Sequence, residues 1–379
     1  MIDITDKKNC CGCHACAAIC AKHCITMQAD DEEGFLYPVV DKEVCIDCGL
    51  CEKVCPVLNQ DEPCKPLKVY VAKNKDEDIR LQSSSGGIFT LLAEKVIGEG
   101  GVVFGARFDE NWDVVHSWTD SIEGIAAFRG SKYVQSEIGD AYREAKDFLK
   151  EGRKVLFSGT PCQIAGLKKY LRKEYENLLT IDVVCHGVPS PKVWREYLRG
   201  LNNSQYPISY VNLRSKNRGW SKYSYMIKAN DCVLYDDFAY KSPFLQGFSL
   251  NLTLRPSCYN CPAKAGRSKA DVTLADCWGI QKLENIENDN KGYSSVLLWG
   301  DSVSITALLT ESIICNLNYD FIIENNPSIV KSPTIPYCRK EFWKLYEKRG
   351  IDAVIIIANK LKCNYFFRVY NKIRTLLNL

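Results

Sequence analysis

The chain has 379 residues, 46% of them hydrophobic, and a net charge of +3. That length and apolar content suffice for roughly two or three domains with cores of their own, and the near-balanced charge carries no nucleic-acid signature. Twenty cysteines behind a polar, acidic start (Met1, Ile2, Asp3, Ile4, Thr5, Asp6) predict thiolate ligands and free thiols in a reducing cytoplasm, in an anaerobic or microaerobic host, rather than a secreted disulfide scaffold.

Residues 1–60 carry one cysteine pattern twice. Cys10, Cys13, Cys16 and Cys20 follow C-x2-C-x2-C-x3-C; Cys45, Cys48, Cys51 and Cys55 repeat it, with Pro56 next. This is the bacterial two-cluster ferredoxin run, in which the fourth cysteine of each run ligates the other cluster. The expected ligand sets are therefore Cys10, Cys13, Cys16 and Cys55 for one 4Fe-4S cluster, and Cys45, Cys48, Cys51 and Cys20 for the second. Ala21 stands where a proline usually follows the first run. Zinc sites pair two C-x2-C knuckles instead of running three thiolates in a row. A short strand is expected over 35–40 and a linker over 59–68, where Pro63 and Pro66 fall.

From residue 68 the pattern changes to apolar strands alternating with helices. Strands are expected over 69–72, 101–108, 154–158 and 179–184, and helices over 88–97, 138–150, 160–173 and 189–201. Residues 207–237 alternate as antiparallel strands do. The fold class expected is α+β and α/β: a two-cluster ferredoxin fused to a mixed-sheet α/β domain with a largely parallel centre. The organisation read from this is 1–60, 68–150, 151–320 and a basic helical tail, 321–379.

Three further groups carry chemistry. Cys162 follows Thr160-Pro161 at a strand-to-helix turn, Cys185 ends the next strand beside His186, and Cys258 and Cys261 form a C-x2-C before Pro262. Carboxyl ends of adjacent parallel strands form the ligand crevice of α/β folds. Two cysteines there plus the later pair can complete a third cluster; packed, buried thiols are the competing reading. Cys277 is a ligand or a core residue. Ser84, Ser85, Gly86 and Gly87 open a helix and suit phosphate, or simply cap it. Gly130, Ser131 and Lys132, with Lys264 and Arg267, add a basic, hydroxyl-rich rim suited to a dinucleotide, although no G-x-G-x-x-G is present.

Taken in order, the ferredoxin run, the Ser84–Gly87 helix start, Gly130-Ser131-Lys132-Tyr133, Gly159-Thr160-Pro161-Cys162-Gln163, Cys185-His186-Gly187-Val188-Pro189 and Arg255-Pro256-Ser257-Cys258-Tyr259-Asn260-Cys261 resemble the family of coenzyme F420 hydrogenase/dehydrogenase beta subunits, with a fused two-cluster ferredoxin. The resemblance covers residues 1 to about 300. It implies an FAD-containing iron–sulfur flavoprotein, with the flavin-binding domain behind the ferredoxin and the flavin near a third 4Fe-4S cluster. Cys162, Cys185, Cys258 and Cys261 match the family's cysteine motifs. Ser84, Ser85, Gly86, Gly87, Gly130, Ser131, Lys132, Thr160, Lys264 and Arg267 are the expected flavin-binding residues. An aromatic residue is usual where Cys277 stands, which makes it a core thiol.

The expected function is an oxidoreductase passing electrons between ferredoxin-type clusters and FAD, which exchanges two electrons with a small-molecule or deazaflavin-type substrate. The alternative is an electron-transfer subunit with no substrate site, serving a partner enzyme. Expected partners are an electron carrier such as ferredoxin or a partner redox subunit, and a small-molecule substrate. His186 is the candidate proton donor, with a packing histidine as the rival reading. Residues 339–379 hold ten Lys/Arg against three Asp/Glu, interleaved with Phe342, Trp343, Tyr365, Phe366, Phe367 and Tyr370. They read as a helical hairpin packed on the body, or as an amphipathic surface for a partner or for peripheral membrane contact.

Overall fold

A computed structural model of the chain describes residues 1–201, 207–230, 232–284, 286–300 and 302–362. Each cysteine run wraps a loop and enters a short helix, Ala15–Ile19 or Leu50–Lys53. The residue after the second cysteine of each run takes a left-handed conformation, His14 at φ 63° and Gly49 at φ 71°, which turns the loop tightly. Strands β1 (Ile25–Ala29) and β2 (Leu36–Val40) pair antiparallel between the two runs.

The body is built on an eight-stranded mixed sheet. Its strands are β3 (Lys68–Ala72), β4 (Val102–Phe108), β5 (Val114–Thr119), β6 (Val155–Gly159), β7 (Leu178–Val183), β11 (Val272–Asp276), β12 (Ser294–Leu298) and β13 (Ile313–Asn316), in the order β13-β3-β12-β11-β7-β6-β4-β5. The centre, β4-β6-β7-β11, is parallel; the flanking strands pair antiparallel. Both faces are covered. Val102, Phe104, Val155 and Phe157 face the helices Ala141–Lys150 and Pro161–Leu171, while Val103 and Leu156 face Ile88–Gly98 on the other side. This two-sided burial is why the central strands read as continuous apolar runs.

A second, three-stranded antiparallel sheet comprises β8 (Ile208–Ser215), β9 (Ser224–Ala229) and β10 (Cys232–Phe238), in the order β10-β9-β8. It shares a core with Trp194, Tyr197 and Phe244, and with Phe342, Trp343, Tyr346, Val354 and Ile357 from the basic tail. The aromatic residues of helix Arg339–Arg349 are thus used in packing. Tyr365, Phe366, Phe367, Arg368, Tyr370, Lys372 and Arg374 lie outside the described residues. Among the described residues no helix is long and apolar enough to cross a membrane.

Two helices start later than their sequence pattern predicts. Residues 134–137 are held along β5, where Glu137 N–H donates to the Val114 carbonyl at 2.9 Å and its own carbonyl accepts from His116 N–H at 2.8 Å, so that helix begins at Ala141. Pro189 bridges Leu254, and Ser190 Oγ accepts from Val193 N–H at 3.1 Å, so that helix begins at Pro191.

Candidate iron–sulfur and cofactor sites

Cys10, Cys13 and Cys16 from the first run and Cys55 from the second line one cavity together with Cys11. These are the four cysteines that the spacing assigns to one cluster, here gathered around one space. The other set, Cys20, Cys45 and Cys51, shares an apolar cluster with Ile2 and Ile4, and Ile2 N–H donates to Cys51 Sγ at 3.3 Å. Cys48 is exposed. An unforeseen fifth thiol joins this end: Cys24 Sγ lies 3.3 Å from Cys20 Sγ.

A third thiol site, a separate cavity, gathers Cys162, Cys185, Cys258 and Cys261, again with Cys11 on its wall. Three segments position them. Cys162 is in the first turn of helix Pro161–Leu171, whose start is locked by Thr160 N–H donating to Gln163 Oε1 at 2.9 Å. Cys185 follows β7, which runs parallel beside β6 with Gly159 opposite Asp182. Cys258 and Cys261 lie on and after the turn Pro256–Asn260, tied across by Val188 N–H to Cys258 Sγ at 3.4 Å and Arg255 N–H to the Val188 carbonyl at 3.0 Å. The strand-end crevice expected from the α/β pattern is where these thiols meet.

Burial pushes Cys258 up to about 12 and Cys261 up to about 11, with neighbouring thiols adding to the effect. Cys185 rises for the same reasons, and Cys162 rises through its hydrogen bond with Cys11 and its burial. These groups are neutral thiols in the chain as it stands, and a metal bound among them would have to displace their protons. Among the described residues no three His, Cys, Asp or Glu side chains converge on a single metal ion; the four thiols surround a space instead, and an all-thiolate set of four is the donor chemistry of a 4Fe-4S cluster. Lys264, buried at this cavity, donates to the carbonyls of Cys185 at 2.6 Å and Ser328 at 2.5 Å.

The expected flavin residues divide between two places. Ser84 and Ser131 meet, their hydroxyls 2.8 Å apart, and Ser131 N–H donates to Ser84 Oγ at 2.8 Å. Gly130 stands beside them at φ 79°, with open space where its β-carbon would be. Lys132 turns inward, donating to the carbonyls of Ala127 and Arg129, each at 2.8 Å. Ser85 and Gly86 are spent on packing: Ser85 Oγ donates to the Tyr293 carbonyl at 2.6 Å and Gly86 N–H to Ser294 Oγ at 3.0 Å. The Gly87 carbonyl accepts from Asn74 Nδ2 at 3.2 Å. Lys264 lines the third thiol cavity, and Thr160 Oγ1 lies 3.3 Å from Cys162 Sγ, so both stand with those thiols. Arg267 follows Lys264 on the next turn, its N–H reaching the Lys264 carbonyl at 3.3 Å.

His186 lines the third cavity. Its Nε2 lies 2.6 Å from Asn251 Oδ1. Asn251 Nδ2 donates to the Thr334 carbonyl, so Oδ1 is the acceptor and Nε2 carries the proton. That proton is committed to Asn251, which favours a packing role. Cys277 is fully buried among Val71, Trp220, Ile280 and Tyr293. The functional candidates that escaped the sequence are Cys11, shared by two cavities, Cys24 beside Cys20, Arg214 and Arg255. The doubled cysteine at positions 10 and 11 was the available signal for the first.

Doubled ferredoxin loops, a further four-thiol cavity and a two-sided mixed sheet together define an iron–sulfur redox protein. Its residues 9–59 match the 4Fe-4S dicluster domain, residues 69–142 the N-terminal model, and residues 152–304 the C-terminal model, of the coenzyme F420 hydrogenase/dehydrogenase beta subunit. The chain belongs to that family. It is similar to one subunit of the F(420)H(2) dehydrogenase of Methanosarcina mazei, 27% identical over 214 residues, which are 52% of this chain and 60% of that one. It is also similar to the coenzyme F420-dependent sulfite reductase of Methanocaldococcus jannaschii, 29% identical over 204 residues, 52% of this chain and 31% of that one. The chain thus spans less than two thirds of the length of either relative. A solved structure of the F420-reducing NiFe hydrogenase complex from Methanosarcina barkeri matches with a TM-score of 0.46 at 17% identity, covering 80% of this chain and 94% of that chain.

Proposed function

We infer that this chain is a one-electron conduit leading from an exposed ferredoxin end to a flavin, which exchanges two electrons with a small-molecule or deazaflavin-type substrate. The observation that carries this reading is the shared wall: Cys11 lines both the Cys10, Cys13, Cys16, Cys55 cavity and the Cys162, Cys185, Cys258, Cys261 cavity. Each set of four thiolates would hold one 4Fe-4S cluster, and Cys45, Cys48, Cys51 and Cys20 would hold another.

The region of Ser84, Gly130 and Ser131 fits FAD. Beside it the Arg214 side chain is 7% exposed and pairs with Asp276 at 2.8 Å, yet its Nε and Nη2 have no hydrogen-bond partner among the described residues. A buried guanidinium with free donors suits a pyrophosphate. Arg214 Nη1 also donates to Tyr133 OH at 3.2 Å, and its guanidinium lies over the Tyr223 and Trp278 rings at 4.7 and 5.5 Å. A flavin bound there supplies the exchange between two-electron and one-electron chemistry. Two ring contacts join this region to the third cavity: Tyr133 stacks on Phe248 at 5.1 Å, and Phe248 meets His186 edge-on at 5.4 Å.

A specific observation also favours the second reading, an electron-transfer subunit serving a partner. Val44 and Ile46 are 45% and 65% exposed beside Cys45 and Cys48, which is a suitable surface for a redox protein to dock. Metal and flavin analysis of anaerobically purified protein separates the readings. About twelve irons per chain with released FAD is expected. About eight irons would remove the third cluster, and full iron without flavin would leave the electron-transfer subunit. Anaerobic titration with deazaflavin and nicotinamide then identifies the two-electron partner.

A further inference from the structure

Arg255 is a buried cation, and among the described residues no carboxylate hydrogen-bonds to it. It is fully inaccessible and sits on the segment that carries Cys258, whose N–H donates to the Arg255 carbonyl at 2.9 Å. The guanidinium points the other way, into the ferredoxin. Nε donates to the Cys10 carbonyl at 2.7 Å, Nη2 to the Leu36 carbonyl at 2.8 Å and to Cys10 Sγ at 3.4 Å, and Nη1 to Gln135 Oε1 at 2.9 Å. It lies over the Tyr37 ring at 4.4 Å and the Phe35 ring at 5.3 Å. Gln135 in turn donates to the Cys11 carbonyl at 3.0 Å. A buried charge is costly unless something of opposite sign answers it. Two carbonyls, an amide and a sulfur supply only dipoles.

We propose that the counter-charge of Arg255 is the cluster held by Cys10, and that Arg255 sets that cluster's reduction potential. This rests on the reading of Cys10 as a cluster ligand. Reduction adds one electron, and hence one negative charge, to the cluster while the guanidinium stays fixed. An N–H donor on a ligand sulfur and a positive charge in a dry site both stabilise the more negative state. Arg255 therefore raises the potential of this cluster relative to the cluster of Cys45, Cys48 and Cys51. Electrons entering at the exposed end are drawn inward, toward the wall shared with Cys162. The same residue mechanically joins the two sites, since its backbone orders Cys258 and its side chain orders Cys10.

The test uses the full-length chain, purified anaerobically. In the unaltered protein with guanidino-15N-labelled arginine, pulsed electron paramagnetic resonance of the dithionite-reduced clusters should show a 15N coupling, and that coupling should be lost in Arg255→Lys. In redox titrations, Arg255→Gln should shift one ferredoxin midpoint to lower potential and leave the other in place, with Arg255→Lys shifted less. Full iron content with no 15N coupling in the unaltered chain overturns the proposal alone. Failure of the unaltered chain to carry the two ferredoxin clusters overturns the ligand assignment and the proposal together. Should Arg255→Gln not fold, the titration of Arg255→Lys decides the matter, and both ferredoxin midpoints left unshifted there overturn the proposal.

Discussion

Gly166 lies directly against Cys13: a β-carbon at position 166 would stand 2.9 Å from the Cys13 sulfur and 3.0 Å from Tyr142 OH. The helix that presents Cys162 to the third cavity therefore presses, one turn later, on Cys13 of the first ferredoxin run. Only glycine permits that approach, because any side chain must displace the Cys13 loop or tilt the helix. Gly166→Ala is expected to cost about 1–3 kcal/mol by overpacking and to change the signal of the cluster at Cys13. A thermal melt and spectrum identical to the unaltered protein would show that the two modules tolerate separation here.

Cys258→Ser removes one thiolate from the third cavity. The iron content should fall by about four atoms per chain while both ferredoxin signals persist. An unchanged cluster spectrum would exclude Cys258 as a ligand.

Glu33 and Arg339 clamp the ferredoxin to the first helix of the tail. Arg339 Nη1 and Nη2 donate to the two Glu33 oxygens at 2.8 and 2.5 Å, with side chains 15% and 5% exposed for Arg339 and Glu33. Arg339 Nη2 also reaches the Leu254 carbonyl at 2.8 Å. Glu33→Ala strands a buried guanidinium, at a cost of about 3–5 kcal/mol. Proteolysis in the exposed 59–68 linker should accelerate as the ferredoxin loosens. Equal cleavage rates would mean that the other contacts suffice.

His116 gives the fold a pH dependence. Burial holds its imidazole down to about 4, against the opposing pull of the Ser158 carbonyl, which lies 3.0 Å from Nε2. The folded state keeps it neutral, whereas the unfolded chain takes up a proton near 6.5. Its stabilising contribution is therefore complete above about 6.5 and is lost as pH falls toward 4. By linkage, His116→Gln should be relatively better tolerated at pH 5 than at pH 7.5, by about 2 kcal/mol. Native-state hydrogen exchange of the β5 amides reads this without removing the clusters, and a pH-independent difference between the two proteins would refute it.

The parts of the molecule legible in the amino-acid order are those set by neighbours along the chain. The cysteine spacing pointed to the crossed set of Cys10, Cys13, Cys16 and Cys55, because a loop of that length can wrap only so much of a cluster. Continuous apolar runs marked β4, β6 and β7, because both faces of the sheet are covered. Thr160-Pro161 marked a helix start through its own capping chemistry. The strand-end rule even placed Cys162 and Cys185 side by side.

What depended on distant segments was not legible. The sequence offered no sign that β3 pairs with β12 and β13 at the far end of the sheet, and although it allowed a tail hairpin packed on the body, it did not name Trp194 and the second sheet as what the tail packs against. Nor did it show that Ser85 and Gly86 are consumed by Tyr293 and Ser294. Arg255 reaches Cys10 across 245 positions, and Cys11 meets Cys162 across a module boundary. Such contacts leave no period or spacing in the chain, because they arise only when separately folded surfaces dock and bury the same space. Spacing alone singled out Cys10, Cys13, Cys16 and Cys55, which line one cavity; docking decided that their loop shares a wall with the third thiol cavity.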